Sequence, residues 1–255
     1  MLLALDVGNS QIFGGVYGKD EIVLKFRRTS KEKASSDEMG VFLKTVLREN
    51  NIDPKEITDI AISTVVPDLL HSLKNCAIKY FNIEPFILGP GVKTGLNLKI
   101  KSPAELGADR VANAVGAIKE HPNENLIIID FGTATTFCAI TKAKEFLGGV
   151  ILPGIKMSME ALSEKTALLP NVEIAKPPTA VGRDTVTNIQ SGLYFGTLGI
   201  VKELTQRIKK EEFDGTATVI ATGGFSSLFA KENIFDRIMP DLVLDGLHTA
   251  FKMNK

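Results

Sequence analysis

The chain has no tryptophan, 7% aromatic residues and two cysteines among 255 residues. So few aromatics leave little with which to stack the bases of a single-stranded nucleic acid. Thirty basic residues balance thirty acidic ones, so no net positive field draws a polyanion or an anionic membrane surface, although a local basic pocket stays open. No apolar run approaches the ~20 residues of a membrane span, and the greasy start at 2–5 lacks the basic flank and cleavage site of a signal peptide. A cytoplasmic protein that engages neither nucleic acid nor membrane is the expectation. Cys76 and Cys138 lie far apart with no CxxC or Cys/His spacing, which reads as two small buried hydrophobes in a reducing compartment. His71, His121 and His248 show no ligand spacing either. Two common nucleotide signatures are also missing: no Gly-x4-Gly is followed by Lys-Ser/Thr, and there is no GxGxxG.

What remains is ordinary globular composition, 44% hydrophobic and 24% charged with 22 glycines, in a length that suits one large domain or two small ones. Short apolar runs at 2–5, 11–17 and 21–27, with turn chemistry at Gly18-Lys19-Asp20, predict an antiparallel three-strand meander. A helix fits 36–50, with Ser35 or Ser36 as its cap and Asp37 and Glu38 at its positive end. Strand, helix, strand and helix follow at 57–65, 67–81, 85–88 and 103–120, both helices opened by Pro.

At 125–130 the pattern restarts. A buried strand, a second at 135–141 and a third near 146–151 precede helices at 154–167 and 184–210, which flank a Pro/Thr-rich loop. A strand at 216–221, a short helix, a strand at 241–244 and a last helix complete the chain. Both copies carry Asp-x-Gly and a small hydroxyl residue at the end of the first strand: DVGNS at 6–10 and DFGTA at 130–134. The expected architecture is α/β, two halves at 1–117 and 118–255, each a mixed sheet flanked by helices, with a cleft where strand ends meet.

The chemistry follows from the turns. Gly in Asp-x-Gly lets the backbone approach an anion closely, while exposed amides, Asn9 and Ser10 offer donors. Asp6 cannot hold phosphate itself but can hold a hydrated Mg²⁺ that bridges phosphate oxygens; a plain capped hairpin turn is the competing reading. In DFGTATT, Asp130 with Thr133 and Thr135 can coordinate a cation or phosphates, or can simply cap a turn. Thr222-Gly223-Gly224 would let a base or ribose lie against bare backbone, and serves equally as a strand-to-helix turn. Gly107-Ala108-Asp109-Arg110 sets an acid beside a base at the head of an apolar segment, where ionised groups need a partner or a purpose. Gly192, Gly196 and Gly199 fit close packing of a helix or subunit.

Taken in order, DVGNS, GPGVKTGL, GADRVANAV, IIIDFGTATT, GGVILPG, TALLP, VGRDT with IQSG, and ATGG resemble type III pantothenate kinase over essentially the whole chain. That family resembles the acetate and sugar kinase, chaperone and actin superfamily, whose two ribonuclease H-like (actin-like ATPase) halves match the duplication. The resemblance implies ATP-dependent phosphorylation of pantothenate, the first step of coenzyme A synthesis. It implies a nucleotide phosphate loop of Asp6, Val7, Gly8, Asn9, Ser10, Gln11, Ile12 and Phe13, with Asp6 near Mg²⁺. Thr133, Gly223 and Gly224 would contact ATP, and Asp130 would bind K⁺ or NH₄⁺. Gly107, Ala108, Asp109 and Arg110 would bind pantothenate, with Asp109 as proton acceptor, and Thr185 would join them near a homodimer interface. Two positions depart from the family pattern: Ser10 stands where many relatives have Thr, and Ile100 where many have an aromatic residue. Another small-molecule phosphotransferase and a non-catalytic nucleotide-binding regulator are the alternatives.

Overall fold

The computed structural model describes residues 1–30 and 34–255. They form two compact units, one of Met1–Leu96, Lys101–Glu120 and Leu242–Lys255, the other of Asn97–Ile100 and His121–Asp241.

In the first unit, β1 (Leu2–Val7), β2 (Gln11–Gly18) and β3 (Glu21–Thr29) make the antiparallel meander. α1 (Ser36–Glu49) starts with a reciprocal capping box between Ser35 and Glu38, which satisfies two orphan helix amides. β4 (Asp59–Thr64) returns parallel to β1, α2 (Pro67–Cys76) continues into a π-helical turn, and β5 (Phe86–Ile87) extends the sheet. The strand order is β3-β2-β1-β4-β5. Strict alternation sends Leu3, Leu5, Ile60 and Ile62 into a core with α1 and α2, and Ala4 and Ala61 into another on the opposite face.

That opposite face is covered by α3 (Ala108–Glu120) and α6 (Leu242–Asn254). They touch through glycine: a Cβ on Gly116 would lie 2.7 Å from the Leu242 carbonyl oxygen, and one on Gly246 would fall onto Ala112. This packing explains two departures from the sequence reading. Residues 241–244 are not a strand, because Leu242, Val243, Leu244 and Leu247 are all buried in the first turns of α6; a short apolar run cannot be told from a buried helix by periodicity. The chain end therefore packs with the first unit, and the units divide after Glu120 and Asp241 rather than after residue 117. The helix read over 103–120 is likewise a 3₁₀ turn at Pro103–Glu105 followed by α3.

The second unit repeats the first. β7 (Leu126–Phe131), β8 (Ala134–Ile140) and β9 (Glu145–Pro153) form the meander, and β10 (Thr218–Thr222) runs parallel to β7 with β11 (Arg237–Ile238) outside it. The short β6 (Asn97–Leu98) is added beyond β9, giving the order β11-β10-β7-β8-β9-β6. Counted within each half, the same order recurs. α4 (Ile155–Lys165) and the 28-residue α5 (Thr185–Glu212) connect β9 to β10. Asp184 caps α5 by accepting from the Thr187 amide at 2.9 Å.

Candidate active site

In the first unit the DVGNS turn closes where β1 ends. The Gly8 amide donates to the Gln11 carbonyl at 3.0 Å, and the turn is held from β3 by Ser30, whose hydroxyl donates to the Gly8 carbonyl at 2.6 Å and whose amide donates to the Ser10 carbonyl at 3.1 Å. Asn9 and Gln11 are exposed, whereas Val7, Ile12 and Phe13 are buried; Val7 and Ile12 offer a ligand only their backbone. The Arg27 guanidinium stacks 3.8 Å from the centre of the Phe13 ring, a cation–π contact that lays positive charge beside the turn.

Asp109 stands at the same end of the same sheet. The Val65 amide donates to the Val7 carbonyl at 3.2 Å, and the Val65 side chain lies 3.4 Å from where a Gly107 Cβ would be. That absent Cβ would also lie 2.5 Å from Asp109 Oδ1, so the carboxylate folds back into the space glycine leaves. The Arg110 amide donates to Asp109 Oδ1 at 2.7 Å. Burial raises the Asp109 carboxyl above the ordinary aspartate value, and the Arg110 amide and charge offset this only in part. A carboxylate with a raised pKa near the DVGNS turn is suited to accepting a proton.

In the second unit Asp130 is the penultimate residue of β7, in register with Thr136 and Thr222. Gly223 has φ +86°, and a Cβ there would strike Asp130 Oδ1 and come within 2.7 Å of the Phe131 backbone. Gly154 donates its amide to the Thr133 carbonyl at 3.1 Å, and a side chain at Gly154 would collide with that same oxygen. Two glycines from distant segments thus seat the 130–133 turn. Thr133 is exposed on it, while Thr135 is buried in β8, which removes Thr135 from the candidate ligands. Gly224 is exposed with open space around its Cα. Thr185 opens α5 and lines a cavity of about 590 Å³ with Ser158 and Leu162 of α4 and Asn188 of α5. Ile100 lies near the β9 bulge, its methyl 3.8 Å from where a Gly148 Cβ would be.

Among the described residues no group of three or more His, Cys, Asp or Glu side chains could enclose a metal. Asp6 and Asp130 stand singly near the ends of their strands, each able to offer one carboxylate to a hydrated cation. No helix of the described residues is long and apolar enough to cross a membrane.

The family model for type III pantothenate kinase matches residues 2–207. A type III pantothenate kinase of Legionella pneumophila (strain Corby) is 57% identical over 255 residues, covering 100% of this chain and 99% of that one. The chain belongs to the type III pantothenate kinase family. It is an enzyme of the kinase class, as the names of its relatives record. Among solved structures, a protein named as a conserved Baf family transcriptional activator from Campylobacter jejuni superposes with TM-score 0.62 at 23% identity, over 99% of this chain and 98% of that one. A protein named as a 2-dehydro-3-deoxygalactonokinase from Sinorhizobium meliloti gives TM-score 0.63 at 11% identity, over 99% and 96%. At these identities the likeness speaks for the fold alone. Within this type III pantothenate kinase family member, the sequence reading did not find Ser30, Val65 or Arg27, which hold the turn, seat Gly107 and stack on Phe13. Their only local signal was placement at strand ends.

Proposed function

We propose that the protein transfers the γ-phosphoryl group of ATP to the primary hydroxyl of pantothenate. The observation that carries this reading is Asp109, a half-buried carboxyl with a raised pKa, seated by Gly107 at the sheet end that also carries the DVGNS turn. Phosphoryl transfer asks for in-line positioning, electrostatic neutralisation and a base within reach of the attacking hydroxyl. Asp109 accepts the hydroxyl proton, and Gly107, Ala108 and Arg110 bind pantothenate around it. The amides of residues 6–13, with Asn9 and Ser10, cradle the phosphates. Thr133, Gly223 and Gly224 contact ATP in this reading. Asp6 would hold Mg²⁺, which would supply charge neutralisation on the transferring phosphates, and Asp130 would hold K⁺ or NH₄⁺.

A homodimer is part of the same reading. On α5, Gly192, Gly196 and Gly199 have nothing within 4 Å of a would-be Cβ, and Val186 and Ile200 on the same helix are exposed. Bare glycines beside exposed apolar side chains suit close approach of a second copy, and Thr185 at the head of that helix contacts pantothenate near the interface. The protein is soluble and cytoplasmic in this account.

A coupled ADP-release assay over a panel of pantothenate, sugars and acetate tests the proposal. ADP release that depends on Mg²⁺ and on pantothenate alone is the expected result. Release driven by a sugar or by acetate would move the enzyme to another phosphotransferase class, and nucleotide binding with no transfer would make it a regulator.

A further inference from the structure

The strand-end carboxylates of the two halves share a neighbour of one kind. Asp6 on β1 is the register partner of Ser63 on β4, and Asp130 on β7 is the register partner of Thr222 on β10. These are equivalent strands of the repeated order, so both halves set a hydroxyl residue beside the carboxylate. Asp6 and Ser63 lie two residues beyond Ala4 and Ala61, which pack on the α3 and α6 face; strand alternation turns both side chains to that face, on strands ~4.8 Å apart.

Ser63 is wholly buried, and its hydroxyl has no hydrogen-bond partner. A buried hydroxyl without a partner destabilises a fold. Next to the buried apolar run Ile60–Ile62, Ala would suit the protein better at this position unless the hydroxyl meets a group that matters once ligand is bound. We propose that Ser63 is a positioning residue for Asp6: with nucleotide and Mg²⁺ loaded, its hydroxyl donates to the Asp6 carboxylate, directly or through one water, and fixes its orientation. This rests on the kinase reading above.

The test uses Ser63→Ala and Ser63→Thr in the full chain, with melting temperature measured without ligand and ATP binding measured by calorimetry in Mg²⁺ and in EDTA. For Ser63→Ala we expect an unchanged or higher melting temperature, ATP affinity in Mg²⁺ weakened about tenfold (about 1.4 kcal/mol), and unchanged affinity in EDTA. Ser63→Thr, which keeps the hydroxyl, should recover most of the Mg²⁺-dependent part. Unchanged binding in Mg²⁺ would overturn the proposal, as would a lowered melting temperature or an equal loss in both buffers, each of which assigns Ser63 to the fold. If Ser63→Thr does not fold, Ser63→Ala decides alone. Failure of the wild-type chain to phosphorylate pantothenate would strike the kinase reading separately, since the calorimetry does not require turnover.

Discussion

A Cβ on Gly107 would lie 2.5 Å from Oδ1 of Asp109. The backbone of Gly107 is not in the left-handed region, and the obstructing atom is the free end of a side chain, so alanine is tolerated by the fold but displaces the carboxylate. Gly107→Ala is expected to lower kcat by up to about 100-fold, the scale of an ångström-sized misplacement. The melting temperature should stay within about 2 °C. Kinetics and a thermal melt on the same sample check both halves of this statement; a large loss of stability would show that Gly107 serves the fold.

Asp109 links activity and stability with opposite signs. Because burial raises its folded pKa above 3.8, its stabilising contribution is complete below the unfolded value and is lost as pH rises through the folded one. Near neutral pH the ionised group therefore costs stability. Asp109→Asn is expected to raise the melting temperature at neutral pH, less so in mildly acid buffer, while reducing kcat about 100-fold or more. The acid limb of the wild-type kcat profile should lie above the ordinary aspartate range, since the base must be ionised to act.

Gly223 and Gly224 are neighbours with different obligations. Gly223 has φ +86° and backbone atoms of Phe131 within 2.7 Å of a would-be Cβ, whereas Gly224 has open space. Denaturant melts should show Gly223→Ala destabilised by about 1–3 kcal/mol and Gly224→Ala changed by less than about 0.5 kcal/mol. Equal stability losses would contradict the seating of the Asp130 turn described above.

Asp130 carries the proposed monovalent site. Asp130→Asn should abolish any difference in rate between K⁺ and Na⁺ buffers, measured with ATP and pantothenate at fixed ionic strength. A K⁺ response that survives the substitution removes Asp130 from that role.

Much of this was legible in the residues because it is local. Alternation and turn chemistry predict both meanders, Ser35 stands where a cap belongs, and the repeated Asp-x-Gly marks equivalent strand ends. What was not legible depends on partners far along the chain. The run at 241–244 is helical because α3 offers Gly116 to receive it, and no local period distinguishes that from a strand. Thr135 looked like a ligand by spacing from Asp130, yet strand alternation turns it into the sheet interior. Ser30 reaches Gly8 from the end of β3, and Gly223 reaches Asp130 across more than ninety residues of sequence; such contacts exist only once the sheet has formed.

The central claim is tested most directly by following a labelled γ-phosphoryl group. Full-length protein, ATP, Mg²⁺, K⁺ and pantothenate are combined, and the product is identified by phosphorus NMR. The account predicts label on the primary hydroxyl of pantothenate in wild-type protein and its loss in Asp109→Asn, with ATP binding retained. Label released to water alone, transfer to another position, or full transfer by Asp109→Asn would contradict it.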